Sequence, residues 1–138
     1  MSDNTKSIEV AQEKFAELIK SEFERIERMK QDNEIKDFSK QEKIVIGVLP
    51  GDGIGPIIMA QALRVLKTLM KDELESGKVG IREIEGMTIE HRAETLQSLP
   101  DEVLAEVKKC DVILKGPMVT PRAGDPWPNL LSANSLLR

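Results

Sequence analysis

The stretch Lys43–Pro56 reads KIVIGVLPGDGIGP, and it constrains the fold more than any other part of the chain. Lys43–Leu49 is a nearly continuous apolar run rich in β-branched residues, the pattern of a strand buried on both faces. It runs into a turn, Pro50–Gly55. Pro56 can then open a helix, because its missing N–H would be unpaired in a first helical turn anyway. A doubly buried strand feeding a helix is the repeating unit of an α/β fold with a mostly parallel sheet. The rest of the pattern agrees. A helix is expected over 57–75, with Ile58, Ala62, Val65, Leu66 and Leu69 inward and an end at Gly77. A second strand is expected over Val79–Glu85, and a third, DVILK, over Asp111–Lys115. Between them, Thr88–Ser98 and Asp101–Lys109 read as helices, with Thr88 and Asp101 as N-caps. Gly116–Leu131 is a Pro- and Gly-rich loop, and Ser132–Arg138 reads as the start of a helix. There is no internal repeat.

Upstream the grammar differs. Phe15, Leu18, Ile19, Phe23 and Ile26 recur at helical spacing, with Glu and Lys on the other face, so 7–30 is expected to be one amphipathic helix. Gln31–Lys40, rich in Asp, Asn and Lys, reads as a linker or a fraying helix end. The expected division is therefore 1–42, a helical extension and linker, and 43–138, a partial α/β domain. The 138 residues suit one domain, and with 40% apolar and 32% charged residues the chain reads as globular rather than disordered. A net charge of −4 argues against a general nucleic-acid binder, which needs a clustered basic surface. One cysteine can make neither an internal disulfide nor a cysteine-based zinc site. The start has no basic residue leading into an apolar run, so no secretory signal is expected. No stretch approaches the roughly 18 apolar residues of a membrane span, and a cytoplasmic location follows as the expectation. Strands as apolar as 44–49 and 112–114 need cover on both faces, and the sequence stops one turn into a helix, so the domain is expected to be truncated at its C-terminus.

Three segments carry the chemistry. Gly51-Asp52-Gly53-Ile54-Gly55-Pro56 sits where a strand becomes a helix, the usual place for a phosphate-cradling loop. It is not the dinucleotide fingerprint G-x-G-x-x-G, whose third glycine would fall at Pro56, and on local pattern a tight turn needing positive φ at its glycines is the favoured reading. Lys115-Gly116-Pro117-Met118-Val119-Thr120-Pro121 follows the third strand at its carboxyl end, where ligands bind in open α/β sheets. There Lys115 and Thr120 either bind an anion or belong to a plain surface connection. In Ser132-Ala133-Asn134-Ser135-Leu136-Leu137-Arg138, a non-helical first turn would let Ser132, Asn134 and Arg138 converge on a carboxylate. The alternative is a capped helix start, with Ser132 as N-cap and Arg138 a surface cation. His91 has no second ligand-type residue at metal spacing and reads as a helix-surface histidine. Cys110 reads as a partly buried, inert thiol.

Taken in order, KIVIGVLPGDGIGP at 43–56, KGPMVTP at 115–121 and SANSLLR at 132–138 resemble the opening part of the β-decarboxylating dehydrogenases, the isocitrate and 3-isopropylmalate dehydrogenase family. The resemblance implies an α/β fold distinct from the Rossmann fold. It also implies NAD or NADP as cofactor, Mg²⁺ or Mn²⁺ as metal, and a 2-hydroxy acid as substrate. The hydroxyl is oxidised by hydride transfer and CO₂ is then lost while the metal steadies the enolate. Carried over by match, Lys115 and Thr120 are expected near the cofactor and substrate, and Ser132, Asn134 and Arg138 are expected to contact substrate carboxylates. The spacing S-x-N-x-x-x-R is similar to the isocitrate branch. Two positions depart from the family pattern: Ile57 stands where Glu is usual, and Val119 where Thr is common.

The same resemblance assigns the proton-transferring Tyr and Lys and the metal-binding aspartates to sequence outside this chain, which has no tyrosine at all. No catalytic residue and no metal ligand is therefore expected here. The full-length enzyme would be a homodimer, and a complementary chain could complete the site. Alone, the chain is expected to be inactive. A rival reading makes it a non-catalytic module that uses helix 7–30 and its exposed sheet for protein interaction or self-association.

Overall fold

A computed structural model describes residues 2–31 and 36–138. The chain divides into two compact units, Met1–Asp37 and Phe38–Arg138. Among its described residues the first holds one helix, α1 (Ser2–Gln31), longer at its start than the 7–30 read from the apolar spacing. Ser2, Asp3, Asn4 and Thr5 are residue types that favour caps and turns, so nothing in the sequence marks them as helical. Phe15, Leu18 and Phe23 are all more than half exposed, and Ile19 and Ile26 are exposed too. Residues 32–35, inside the joint expected over Gln31–Lys40, lie outside the described residues; Phe38–Lys40 forms a short 3₁₀ turn.

The second unit is built on three strands: β1 (Ile44–Leu49), β2 (Val79–Glu83) and β3 (Val112–Lys115). They form an all-parallel sheet in the order β2-β1-β3. Ile46 stands opposite Ile81 on one side and Val112 on the other. The expected parallel α/β architecture is the one observed. Alternate strand residues go to opposite faces of the sheet, and both faces are covered. On one side Val48 packs with Met59 and Leu63, supported by Leu66, Ile81 and Leu114. On the other, Leu49 joins Ile84, Met87, Val103, Met118 and Ala133.

The helices fall close to their expected places, with three corrections. The helix expected over 57–75 is two: α2 (Gly55–Leu69) and α3 (Lys71–Glu75). Met70, at φ −108° and ψ 29°, separates them. Thr68 Oγ1 donates back to the Arg64 carbonyl at 2.8 Å, a contact that bends helices. Lys67 at the end of α2 and Asp72 and Glu73 at the start of α3 each suit the dipole of a helix terminus.

The inward face of α2 also differs. Met59 and Leu63 are buried and Ala62 and Leu66 half-buried, whereas Ile58, Val65 and Leu69 are exposed. The sequence offers two adjacent apolar rows, 58/62/65/69 and 59/63/66/70, and spacing alone cannot choose between them. The turn at 50–55 sets the rotation of the helix and so makes the choice.

Thr88 caps α4 (Ile89–Thr95), its side chain accepting from the His91 N–H. Asp101, however, is the first residue of α5 (Asp101–Val107) rather than its cap. Pro100 holds the cap position at φ −58° and ψ 142°, and the Asp101 N–H and carboxylate bond instead to the Gln97 side chain. A last short helix, α6 (Ala133–Leu136), follows the 116–131 loop.

Candidate functional site

From β1 the chain moves to β2 on one side, then crosses over to place β3 on the other. The carboxyl ends of β1 and β3 thus mark the switch point of the sheet, the place where open α/β folds put ligands. Two sequence-singled segments meet there. The turn after β1 and the loop after β3 touch backbone to backbone: a Cβ on Gly51 would lie 2.1 Å from the Pro117 carbonyl oxygen, and one on Gly116 would lie 2.1 Å from that of Pro50. Gly51 also has φ +83°, which a side chain would strain. The Asp52 N–H donates to the Pro117 carbonyl and the Gly116 N–H to the Leu49 carbonyl, each at 2.8 Å. The glycines therefore serve a tight turn and a close approach between the two loops.

Lys115, the last residue of β3, is half-buried rather than free in solvent. Its Nζ donates to Asn134 Oδ1 at 2.5 Å and to the Gly116 carbonyl at 3.2 Å. Asn134 Nδ2 donates in turn to the Met118 carbonyl at 3.3 Å. Two of the five residues picked from the sequence are thus in direct contact across 19 positions of chain. Ser132 stands half-buried at the N-cap position of α6, but its side chain makes no capping bond. The first turn of α6 is helical, so Ser132 and Asn134 are not brought to a common point by an extended backbone. Thr120 and Arg138 are exposed.

The sequence reading missed the residues that tie these segments together. Asp52, within the glycine-rich turn, and Arg92, on α4, form a buried ion pair at 2.9 Å, with side chains 4% and 0% exposed. Asp52 Oδ1 accepts from the Ile89 N–H and Oδ2 from the Val119 N–H, both at 2.7 Å. Arg92 donates to the Val119 carbonyl at 2.9 Å and to the Met87 carbonyl at 3.2 Å, while its Nη1 is buried without a partner. A short carboxylate among turn glycines was a legible signal for backbone N–H acceptance. Arg92 carries no such signal, since one cation on an amphipathic helix reads as surface.

Elsewhere, His91 Nε2 lies 3.0 Å from Glu102 Oε1 on the surface, and this contact holds the Glu102 carboxyl below the usual range. Burial pushes the Cys110 thiol up, which disfavours the reactive thiolate. Among the described residues, no group of three or more His, Cys, Asp or Glu side chains could hold a metal ion. No helix among them is long and apolar enough to cross a membrane.

An all-parallel three-stranded sheet with both faces covered defines a parallel α/β protein. The model of the isocitrate/isopropylmalate dehydrogenase family matches residues 45–137, and the chain belongs to that family. Over 80 residues it is 38% identical to a 3-isopropylmalate dehydrogenase of Heyndrickxia coagulans, covering 58% of this chain and 21% of that protein. Over 72 residues it is 46% identical to one of Burkholderia multivorans, covering 51% and 18%. The corresponding enzyme of Aquifex aeolicus is 39% identical over 94 residues, covering 64% and 22%. The chain spans about a fifth of the length of these relatives.

Proposed function

We propose that residues 43–138 supply one part of the substrate site of a decarboxylating dehydrogenase acting on a 2-hydroxy acid in the cytoplasm, with 1–42 as an extension of that domain. The observation that carries this reading is the Lys115–Asn134 contact at the switch point of the sheet. A substrate carboxylate arriving there would meet the Lys115 ammonium at the end of β3 and the Asn134 amide on α6, with Ser132 and Arg138 supplied by the residues flanking that helix. Thr120, on the loop after β3, faces the cofactor in this reading. NAD or NADP would accept the hydride when bound. The described residues do not fit a metal site, so Mg²⁺ or Mn²⁺ would be held by residues beyond those described, and by a second subunit if the enzyme is a homodimer.

Isocitrate is the substrate favoured by the residues. It carries a third carboxylate, and Ser132, Asn134 and Arg138 are donors suited to one. A second reading, 3-isopropylmalate, is favoured by the names of the relatives and by Leu131 and Leu136, both exposed in the segment that carries Ser132 and Asn134. An apolar substituent would rest on those leucines.

A charged contact from Arg138 contributes about 2 kcal/mol and each neutral donor about 1. Their sum corresponds to about millimolar affinity before the costs of association. The test is a thermal melt of the full chain with each acid at about 10 mM. Binding to the native state alone should stabilise it by up to about 1.4 kcal/mol, a shift of at most a few degrees. A larger shift with isocitrate, abolished in R138A, supports the first reading, and a larger shift with 3-isopropylmalate supports the second. No shift with either acid removes the proposed half-site. Turnover with NAD or NADP is expected to be nil for the chain alone, which has no tyrosine to serve as the proton-transferring phenol.

A further inference from the structure

The Asp52–Arg92 pair lies outside the residues assigned to substrate or cofactor, yet each member bonds to Val119, in the loop that joins Lys115 to Asn134 and carries Thr120. Asp52 collects three donors from positions 37, 40 and 67 residues away: the Ile89 N–H, Arg92 and the Val119 N–H. Both backbone groups of Val119 are held, the N–H by Asp52 and the carbonyl by Arg92. Peptide planarity gives this a directional consequence. In a trans peptide the N–H and the C=O point to opposite edges of one plane. The Val119 N–H shares its plane with the Met118 carbonyl, which is the acceptor for Asn134 Nδ2. Fixing that N–H on Asp52 therefore aims the Met118 carbonyl at Asn134, which in turn accepts from Lys115. The Val119 carbonyl, fixed on Arg92, shares its plane with the Thr120 N–H and turns that N–H the other way.

A buried ion pair is a poor device for stability alone, because desolvation offsets most of its attraction. Arg92 also keeps one nitrogen buried and unbonded. What the pair does supply is fixed direction: a guanidinium fork and a two-oxygen carboxylate specify several angles at once. We propose that Asp52 and Arg92 are a positioning pair that sets the two peptide planes around Val119, and so the placement of Asn134, Lys115 and Thr120. The proposal rests on the reading of that loop as the substrate loop.

The test compares the unaltered full chain with R92K, which keeps a cation beside Asp52 but loses the fork. Amide hydrogen exchange at Val119 should accelerate by about tenfold relative to Val48 and Leu49 in the sheet centre, as a local rather than global opening does. The Asn134 side-chain amide resonances should move, and the affinity for whichever acid the unaltered chain binds should fall by a similar factor. If Val119 exchange changes only in step with Val48 and Leu49, and the Asn134 resonances stay, the pair is a general stabiliser and the proposal fails. Should R92K not fold, D52N/R92Q removes both charges together and allows the same comparison. Binding of neither acid by the unaltered chain would overturn the substrate reading, while the exchange pattern would still decide the positioning role.

Discussion

At the scale of single residues, the tightest constraints are glycines that no local rule distinguishes. Gly51 and Gly124 both have positive φ, +83° and +96°. A Cβ on Gly51 would overlap the Pro117 carbonyl oxygen, whereas one on Gly124 meets nothing within 4 Å. G124A should therefore cost only the left-handed backbone penalty, about 1 kcal/mol, while G51A adds forced separation of two loops and should cost roughly 3 kcal/mol or more. Urea unfolding of the two variants checks the difference; equal losses would mean that the loops move apart freely. His91 and Glu102 make a second residue-scale case. A carboxylate whose pKa is depressed in the folded state contributes stability above its unfolded pKa, and the contribution is lost as pH falls through the folded value. The depression here comes chiefly from the His91 hydrogen bond. In H91A the Glu102 carboxyl should titrate at higher pH, followed by NMR of its side-chain carbon; an unchanged midpoint would show the contact to be absent in solution.

At the scale of elements, strands and helices were largely legible and their orientation was not. β1, β2 and β3 lie within residues 43–49, 79–85 and 111–115 as expected: β1 is legible as an apolar run because a doubly buried strand has to be apolar on both faces, β3 as the short run in DVILK, and β2 as an alternation of Val79, Ile81 and Ile84 with charge. α2 falls within the expected helix, but the break at Met70 that separates it from α3 was not legible, and its rotation about its axis differs from the expected one. Its two apolar rows differ by one residue in phase, and only the turn packed against Pro117 selects the row with Met59 and Leu63. L63A should cost about 2–4 kcal/mol through lost burial and a cavity. V65A, on the exposed row, should stay within about 0.5 kcal/mol. Chemical denaturation of both decides the assignment, and a large loss for V65A would restore the orientation read from the sequence. The Asp101 cap failed for a related reason: a proline ahead of a helix can occupy the cap position itself, which the preference for Asp does not anticipate.

At the scale of the molecule, protection against hydrogen exchange should be graded. Val48 and Leu49, fully buried in the central strand, should exchange slowest in the Phe38–Arg138 unit. The amides of α1, whose apolar residues are exposed, should exchange fastest among the helices. Slow exchange throughout α1 would show its apolar face to be covered in solution, by a second copy or another partner.

The sequence by itself determined the parallel α/β class, the three strands, the turn chemistry and the ordered motifs of the family, since each is written in neighbouring residues. It also singled out Lys115 and Asn134, though not that they touch. The tertiary structure decided the rotation of α2, the contact between the Gly51 and Gly116 loops, and the Asp52–Arg92 pair. Those depend on groups brought together from 40 to 67 positions apart. Partners at such separations leave no periodicity or spacing in a single sequence, because what selects them is the direction of a peptide plane and the room beside a buried charge.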